Sequence, residues 1–232
     1  MTAPRGRTDG GLPTVKPGTR AVGIAESTTD GRCVLCGAVV RADRAVDGVG
    51  FASATVGACD ATDAVLQLLD RLDRDDIRYL LVSGVAPAWF NILDLDRIAA
   101  VADRPVLSIS YEASPGLAPA IEREFEGAAR KERLAAYDRL PPRRRVEVNG
   151  EALFVRSVGL GGADGSDESA TPDGLSTPAA PDDVSTPAAP EPVAHIVRAY
   201  TPTGGRPEPV RVARLAARGA QTWRAADTDR HG

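Results

Sequence analysis

The feature that most restricts the fold is a pair of strongly apolar runs, Ile77 to Val85 and Val106 to Ser110. Runs of this length and composition are typical of strands that are buried on both faces of a sheet. Apolar residues at helical spacing precede each run, from Ala64 to Leu72 and from Leu95 to Val101. Buried strands that are connected through helices predict an α/β fold with parallel strands and helices packed on the sheet.

An antiparallel segment comes before these helix-linked strands. Val15 to Val22 leads into residues 23–27, which we interpret as a first strand that ends in a loop. Cys33 to Val40 is nearly continuously apolar, and Ala45 to Val56 alternates well enough to be its antiparallel partner across a short polar turn. The resulting order, β-β-β-α-β-α-β, predicts a mixed sheet and is the order of the ribonuclease-H-like superfold.

The second half of the chain contains two helical segments, a hairpin and a long polar loop. Residues 116–123 and 126–137 have helical patterns, and Asn149-Gly150 predicts a type I′ turn between two strands. Residues 161–190 have no aromatic side chain and carry a repeated stretch of Ser, Thr, Pro and Ala. Such a segment buries too little apolar surface to offset its ordering entropy, so we expect a disordered insertion.

Structured patterning resumes after the insertion. Helical spacing returns in residues 193–200 and again from Pro209 to Arg218. We therefore predict a single domain made of residues 15–160 and 191–219. Residues 1–14 are expected to be a disordered N-terminal extension, and residues 220–232 a flexible tail.

The composition predicts a soluble, cytoplasmic protein. No apolar run approaches the roughly 18 residues of a membrane span, and the first residues lack the apolar stretch of a signal peptide. The chain has 32 acidic and 28 basic residues, a formal net charge of −4, and nearly all of its basic residues are arginine. This balance is typical of a halophilic, high-salt cytoplasm, and it limits nucleic-acid binding to a local basic patch.

Histidine and cysteine chemistry have little support in the sequence. His195 lies beside the insertion and His231 is the penultimate residue, so a Ser-His-Asp or Cys-His mechanism lacks a base. Cys33 and Cys36 have the spacing of redox and zinc motifs, but in a strand they face opposite sides, and no second pair completes four ligands. We interpret these two cysteines and Cys59 as packing residues without disulfide bonds.

Carboxylates are the remaining candidates for catalysis. Glu26, Asp60, Asp63 and Asp94 fall at strand ends or helix starts, where a parallel sheet has its functional edge. The three aspartates are also natural helix N-caps, and capping alone would account for them. Glu26 follows an apolar strand where no helix clearly starts, so a metal-ligand role competes there with a structural one.

Two regions are candidates for nucleic-acid contacts. An aromatic pair and an amide directly follow the most apolar strand, where they could stack on a base or pack under a loop. Three arginines recur at helical spacing near the C terminus, where their shared face could contact phosphates or be an ordinary solvated surface. The predicted contacts are Trp89, Phe90, Asn91, Arg211, Arg214 and Arg218.

A set of short motifs follows in a fixed order along the chain: Val15 to Arg20 before Gly23-Ile24, Asp47 to Val49, Thr55 to Gly57 with Asp60 to Thr62, Phe90-Asn91 with Asp94, and Gly205 to Arg211. Together these motifs resemble the archaeal endonuclease dU family, which is similar to endonuclease V. The resemblance covers roughly residues 15–160 and 191–219. It implies a ribonuclease-H-like fold and metal-dependent cleavage of DNA that contains deaminated bases such as uracil or inosine.

The resemblance also implies a set of site residues. Glu26 and Asp94 would be the catalytic residues, and they would bind Mg²⁺ or Mn²⁺ together with Asp60. Asp47 is a further candidate to assist them. Two or more carboxylates are needed in this chemistry because a single one holds the cation poorly.

Two positions depart from the family pattern. The first strand usually ends in a pair of acidic residues, and here it reads Ala25-Glu26. The central strand usually ends in Asp-Gly, and here it reads Ser83-Gly84. Two hypotheses follow: a metal-dependent endonuclease, and a catalytically degenerate nucleic-acid-binding or assembly module that kept the fold and lost the metal site.

Overall fold

The computed structural model describes residues 12–29, 31–160 and 186–231, with side chains described as far as residue 226. These residues form a seven-stranded mixed sheet in the order β3-β2-β1-β4-β5-β7-β6, flanked by helices. The strands are β1 (Arg20–Thr29), β2 (Arg32–Arg41), β3 (Val46–Thr55), β4 (Ile77–Ser83), β5 (Val106–Ser110), β6 (Arg144–Val148) and β7 (Glu151–Val158). The helices are α1 (Ala61–Leu72), α2 (Pro87–Phe90), α3 (Leu95–Ala102), α4 (Ala118–Glu124), α5 (Gly127–Asp138), α6 (Glu191–Ala199) and α7 (Glu208–His231).

Strand pairing follows the predicted pattern. β1, β2 and β3 form an antiparallel meander, and β1, β4 and β5 are parallel neighbours joined through helices. β7 is antiparallel to both β5 and β6, and the turn between β6 and β7 is made by Asn149 and Gly150, both at positive φ. The mixed sheet predicted from the apolar runs is therefore present, and the carboxyl ends of β1, β4 and β5 meet at one edge.

The first strand begins and ends later in the chain than predicted, at Arg20 and Thr29. The sequence suggested that it ends in a loop at Glu26, but β1 continues to Thr29 because β2 pairs with it along its whole length. Glu26 lies opposite Leu35 in that ladder. The polar residues after Glu26 remain in the sheet because β2 satisfies their backbone hydrogen-bonding groups.

The two faces of the sheet carry separate cores. On one face, α1 and α3 pack Leu68 and Ile98 against β1, β2 and β4. On the other face, α6 packs against β4 to β7, and α7 lies over β1 and β2. Ala213 and Ala217 of α7 contact a layer of small side chains that includes Ala25. Small residues on both sides allow this helix to approach the sheet closely.

The predicted N-terminal extension, insertion and C-terminal tail agree only in part with the structure or lie outside the described residues. Residues 1–11 and 161–185 lie outside the described residues. Residues 187–189, at the end of the predicted insertion, exchange backbone hydrogen bonds with Arg145 of β6. α7 continues to His231, through the stretch predicted as a flexible tail, and Gln221 donates side-chain hydrogen bonds to the carbonyls of Thr29 and Arg32. None of the helices within the described ranges is long and apolar enough to cross a membrane.

Candidate nucleic-acid interface

The segment from residue 84 to 94, here called the aromatic loop, connects β4 to α3 at the carboxyl edge of the sheet. Its backbone is unusual because Ala88, Trp89 and Phe90 are consecutive non-glycine residues at positive φ, with values of 51°, 62° and 54°. This left-handed conformation is costly for residues with a Cβ atom and is often found at functional sites. It leaves the side chain of Trp89 54% exposed.

Edge-to-face ring contacts anchor the aromatic loop to the neighbouring helices. The ring centroids of Trp89 and Phe90 are 5.2 Å apart, and those of Phe90 and Phe125 are 5.7 Å apart. The guanidinium of Arg133, from α5, lies 4.1 Å from the centroid of the Phe125 ring. Phe90 therefore packs under the loop, while Trp89 projects into solvent.

Asn91 is completely buried and joins the aromatic loop to the start of α1. Its Oδ1 accepts a hydrogen bond from the backbone N–H of Ala61 at 2.9 Å. Its Nδ2 donates to Asp60 Oδ1 at 2.7 Å and to the carbonyl of Thr55 at 3.3 Å. Asn91 thus has a structural role, and its side chain is not positioned for the nucleic-acid contact predicted from the sequence.

Asp60 precedes α1 without capping it through its side chain. Both of its carboxylate oxygens instead accept hydrogen bonds from the backbone N–H of Thr55, and one also accepts from Asn91. Partial burial raises the pKa of Asp60, but the hydrogen bonds from Thr55 and Asn91 outweigh it, so the pKa lies below its usual value. Asp60 is an ionised acceptor that fixes the turn before α1.

Asp94 is the N-cap of α3, as the capping interpretation predicted. Its Oδ1 accepts from the backbone N–H of Arg97 at 2.9 Å, and its own N–H donates to Thr62 Oγ1 at 3.0 Å. The side chain faces a cavity of about 410 Å³ between α3 and α5. Asp63 forms an exposed ion pair with Arg97 at 2.6 Å.

Glu26 also contacts the aromatic loop. Its Oε2 accepts hydrogen bonds from the backbone N–H of Ala88 at 2.8 Å, from Thr28 Oγ1 at 2.7 Å and from Cys33 Sγ at 3.1 Å. Burial raises the pKa of the Cys33 thiol to about 12, so this sulfur remains protonated and can donate. Cys33 and Cys36 are buried in β2 as predicted, whereas Cys59 is exposed; none of the three forms a disulfide.

The carboxylates predicted to share a divalent cation do not form one group. Across the part of the chain that the structure describes, no cluster of three or more His, Cys, Asp or Glu side chains could hold a metal ion. Glu26, Asp60 and Asp94 each bind different backbone donors. Asp47 pairs with Arg20 and Arg41 at the start of β1, the end opposite Glu26. These residues therefore do not fit a shared Mg²⁺ or Mn²⁺ site.

Ala25 and Ser83, the two positions where the resemblance implied acidic residues, lie side by side. Ile24 of β1 pairs with Val82 of β4, so the next residues, Ala25 and Ser83, are neighbours on the face covered by α7. Ala25 is 3% exposed and packs in the apolar layer under α7. A carboxylate at this position would be buried against methyl groups, which is unfavourable without a compensating partner.

A cavity of about 330 Å³, here called the edge cavity, opens at the carboxyl ends of β4 and β5 next to the aromatic loop. Its lining includes hydroxyl groups, guanidinium groups and aromatic rings. Arg143 and Arg156 stack on Phe154 and Tyr137 respectively, with distances of 4.4 and 5.2 Å to the ring centroids. Other lining residues are Ser83, Ser110, Ser114 and Tyr111.

The three arginines predicted to form a basic face on α7 differ in their ion pairing. Arg211 is held by Glu208 of the same helix through two hydrogen bonds of 2.6 and 2.7 Å. Arg214 and Arg218 are exposed and make no ion pair within the described residues. Arg206, which was not among the predicted contacts, lies over the ring of Tyr111 at 4.5 Å, beside the edge cavity. Arg206 belongs to the same C-terminal group of arginines in the sequence, but it lies outside the i, i+3, i+7 spacing that Arg211, Arg214 and Arg218 share.

Comparison with known proteins identifies the family. The model of the family described as endonuclease dU matches residues 17–167, more than half of the chain. The chain belongs to the endonuclease dU family. The UPF0215 protein of Thermococcus gammatolerans is 31% identical over 221 residues, covering 90% of this chain and 95% of its own length. This match extends the relationship beyond residue 167.

Solved structures confirm the predicted ribonuclease-H-like fold. A protein of unknown function from Archaeoglobus fulgidus superposes with a TM-score of 0.66 at 21% identity, covering 87% of this chain and 97% of its own. Endonuclease V of Ciona intestinalis, in complex with a 24mer DNA containing an inosine followed by a ribo-adenosine, gives a TM-score of 0.53 at 12% identity. That match covers 88% of this chain and 86% of the Ciona protein. This chain thus has the fold of endonuclease V.

Proposed function

We propose that this chain acts as an endonuclease on DNA that contains deaminated bases, uracil or inosine. The observation that carries the proposal is the match of residues 17–167 to the endonuclease dU family. The endonuclease V fold supports it, because one structure with that fold holds inosine-containing DNA. DNA is accordingly the proposed partner.

Three surfaces at or near the carboxyl edge would each make a different contact with DNA. Trp89 would stack on a base, a contact worth about 1–3 kcal/mol in single-stranded nucleic-acid complexes. The edge cavity would receive the deaminated base, since its volume lies within the usual range for small-molecule sites. Arg214 and Arg218 would contact phosphates, where guanidinium groups bind with favourable geometry.

A role for Mg²⁺ or Mn²⁺ is not supported by the arrangement of the predicted ligands. Glu26, Asp60 and Asp94 each accept a hydrogen bond from a different backbone N–H, and the described residues contain no cluster of three or more potential metal ligands. We therefore assign no step of phosphodiester cleavage to a metal ion. Comparing cleavage in Mg²⁺, Mn²⁺ and EDTA measures whether the activity requires a divalent cation.

A second candidate function is a nucleic-acid-binding or assembly module that does not cleave. The observation that favours it is the pair of neutral residues, Ala25 and Ser83, at the positions where the family resemblance implies acidic residues. Burial of Ala25 under α7 means that the surrounding packing has also adapted to a methyl group. Both candidates predict DNA binding, and they differ in whether a strand is cut.

Cleavage and binding measured together separate the two candidates. Purified full-length protein would be incubated with otherwise identical duplexes containing uracil, inosine or no deaminated base, in high KCl with Mg²⁺, Mn²⁺ or EDTA. We expect nicking of the deaminated duplexes alone. Tight binding without nicking in every condition would overturn the endonuclease proposal in favour of the second candidate. Absence of both binding and nicking would overturn both candidate functions.

A further inference from the structure

The aromatic loop holds a conformation that its own residues disfavour. Three consecutive non-glycine residues at positive φ are not stable without contacts that select them. Those contacts fall on Ala88: its carbonyl accepts from the N–H of Gly57 at 2.8 Å, and its N–H donates to Glu26 Oε2 at 2.8 Å. The next fixed point is Asn91, whose N–H donates to the carbonyl of Pro87 at 3.1 Å.

The residue displayed by this conformation is Trp89. It lies between Ala88, which is fully buried, and Phe90, which packs edge-on against Phe125. The indole itself contacts the ring of Phe90 edge-to-face, with the centroids 5.2 Å apart, and this contact limits its orientations. A preoriented aromatic side chain loses less conformational entropy when a planar ligand stacks on it.

The contacts of Glu26 suit an acceptor better than a cation ligand. One oxygen, Oε2, accepts all three hydrogen bonds, from Ala88, Thr28 and Cys33. A neutral amide oxygen of the same reach could accept the same donors. The geometry therefore requires an oxygen at this distance from the strand and does not require its negative charge.

We propose that Glu26 is a positioning residue whose side-chain oxygen holds Ala88 in the left-handed conformation and thereby presents Trp89 to a nucleobase. The nucleobase part of this inference rests on the proposed function. The positioning part stands on the contacts of Glu26 and is measured without DNA. The role differs from the one implied by the family resemblance, in which Glu26 binds a divalent cation.

Two substitutions at Glu26 separate the effect of side-chain length from the effect of the negative charge. Glu26→Gln keeps the length and an acceptor oxygen but removes the charge. Glu26→Asp keeps the charge but is one methylene shorter, so it loses contact with Ala88. Each would be made in a Trp223→Phe background, which leaves Trp89 as the sole tryptophan, since the chain has two. Glu122→Gln, on the exposed surface of α4, is the control for loss of one negative charge.

Acrylamide quenching of Trp89 fluorescence in the absence of DNA gives the direct readout. For Glu26→Gln and Glu122→Gln we expect quenching constants within about 1.5-fold of the background protein. For Glu26→Asp we expect a change of about twofold or more. Circular dichroism checks folding. If Glu26→Asp does not fold, the fallback variants are Thr28→Ala and Glu26→Gln, measured in EDTA. Both must then keep the quenching constant of the background protein. A quenching constant that is unchanged in Glu26→Asp overturns the proposal.

Binding of an inosine-containing oligonucleotide in EDTA gives the second readout. Glu26→Asp and Trp89→Ala should each weaken binding about 5- to 150-fold, the range of one base–aromatic stack. Their combination should weaken it little further, because both remove the same contact. Binding that fails in Glu26→Gln but survives in Glu26→Asp would assign the carboxylate charge instead and contradict the positioning role. Failure of the separate cleavage assay with this binding pattern intact would refute only the endonuclease function.

Discussion

Asn91 has no exposed surface and makes three hydrogen bonds that tie the aromatic loop to α1. Replacing it with alanine leaves the N–H of Ala61 and one oxygen of Asp60 without these partners. We expect Asn91→Ala to lower the free energy of unfolding by about 2–4 kcal/mol, because buried polar groups lose their compensation. Urea denaturation would measure it. Gln67→Ala removes an exposed amide from α1 and should stay within about 0.5 kcal/mol of the unmodified protein.

Asp60 gives a pH dependence whose sign follows from its pKa. The pKa is lower in the folded chain than in the unfolded chain, so the ionised carboxylate stabilises the fold above the unfolded value of about 3.9. That contribution is lost as the pH falls from about 5 through the folded pKa. Asp60→Asn should therefore be less stable than the unmodified protein at pH 6, with the difference shrinking towards pH 3. Equal differences at both pH values would contradict the assignment.

At the scale of single elements, α7 begins in direct backbone contact with β1. A Cβ atom placed on Gly23 would lie 2.0 Å from the carbonyl carbon and oxygen of Pro209 and 2.5 Å from the nitrogen of Val210. Gly23→Ala must push the start of α7 off the sheet, so we expect a loss of at least about 3 kcal/mol in the free energy of unfolding. Thermal and urea denaturation would measure the loss. Gly18→Ala, where no atom lies within 4 Å, should change stability by less than about 1 kcal/mol.

The strands and helices with strong patterns were predictable because their signals are local. β4 and β5 coincide closely with the apolar runs, and the Asn149-Gly150 turn joins β6 to β7 as its chemistry requires. The end of β1 was not predictable because its last residues are polar. They stay in the sheet through pairing with β2, a contact outside the local pattern.

The carboxyl-edge chemistry was less predictable from sequence than the fold. Their positions after strands or before helices made Glu26, Asp60, Asp94 and Asn91 candidate site residues. All four do lie around the aromatic loop and the helices beside it. Their roles depend on partners far along the chain, as in the bond from Ala88 to Glu26, which are 62 residues apart. Consecutive left-handed residues without glycine also carry no sequence signature. The location was therefore accessible from the sequence, and the hydrogen-bond assignments were not.

At the scale of the whole molecule, a chain of net charge −4 would bind DNA, its proposed partner, through a small part of its surface. Arg214 and Arg218 are exposed on α7 without ion pairs in the described residues, whereas Arg211 is already paired with Glu208. Fluorescence anisotropy over a KCl series gives the slope of log affinity against log salt, which is about −0.9 for each duplex phosphate that is neutralised. We expect Arg214→Ala and Arg218→Ala each to make that slope shallower by about 0.9, and Arg211→Ala to change it much less. An unchanged slope in Arg214→Ala and Arg218→Ala would place the DNA elsewhere, and a full change of about 0.9 in Arg211→Ala would show that Glu208 does not keep Arg211 from the phosphates.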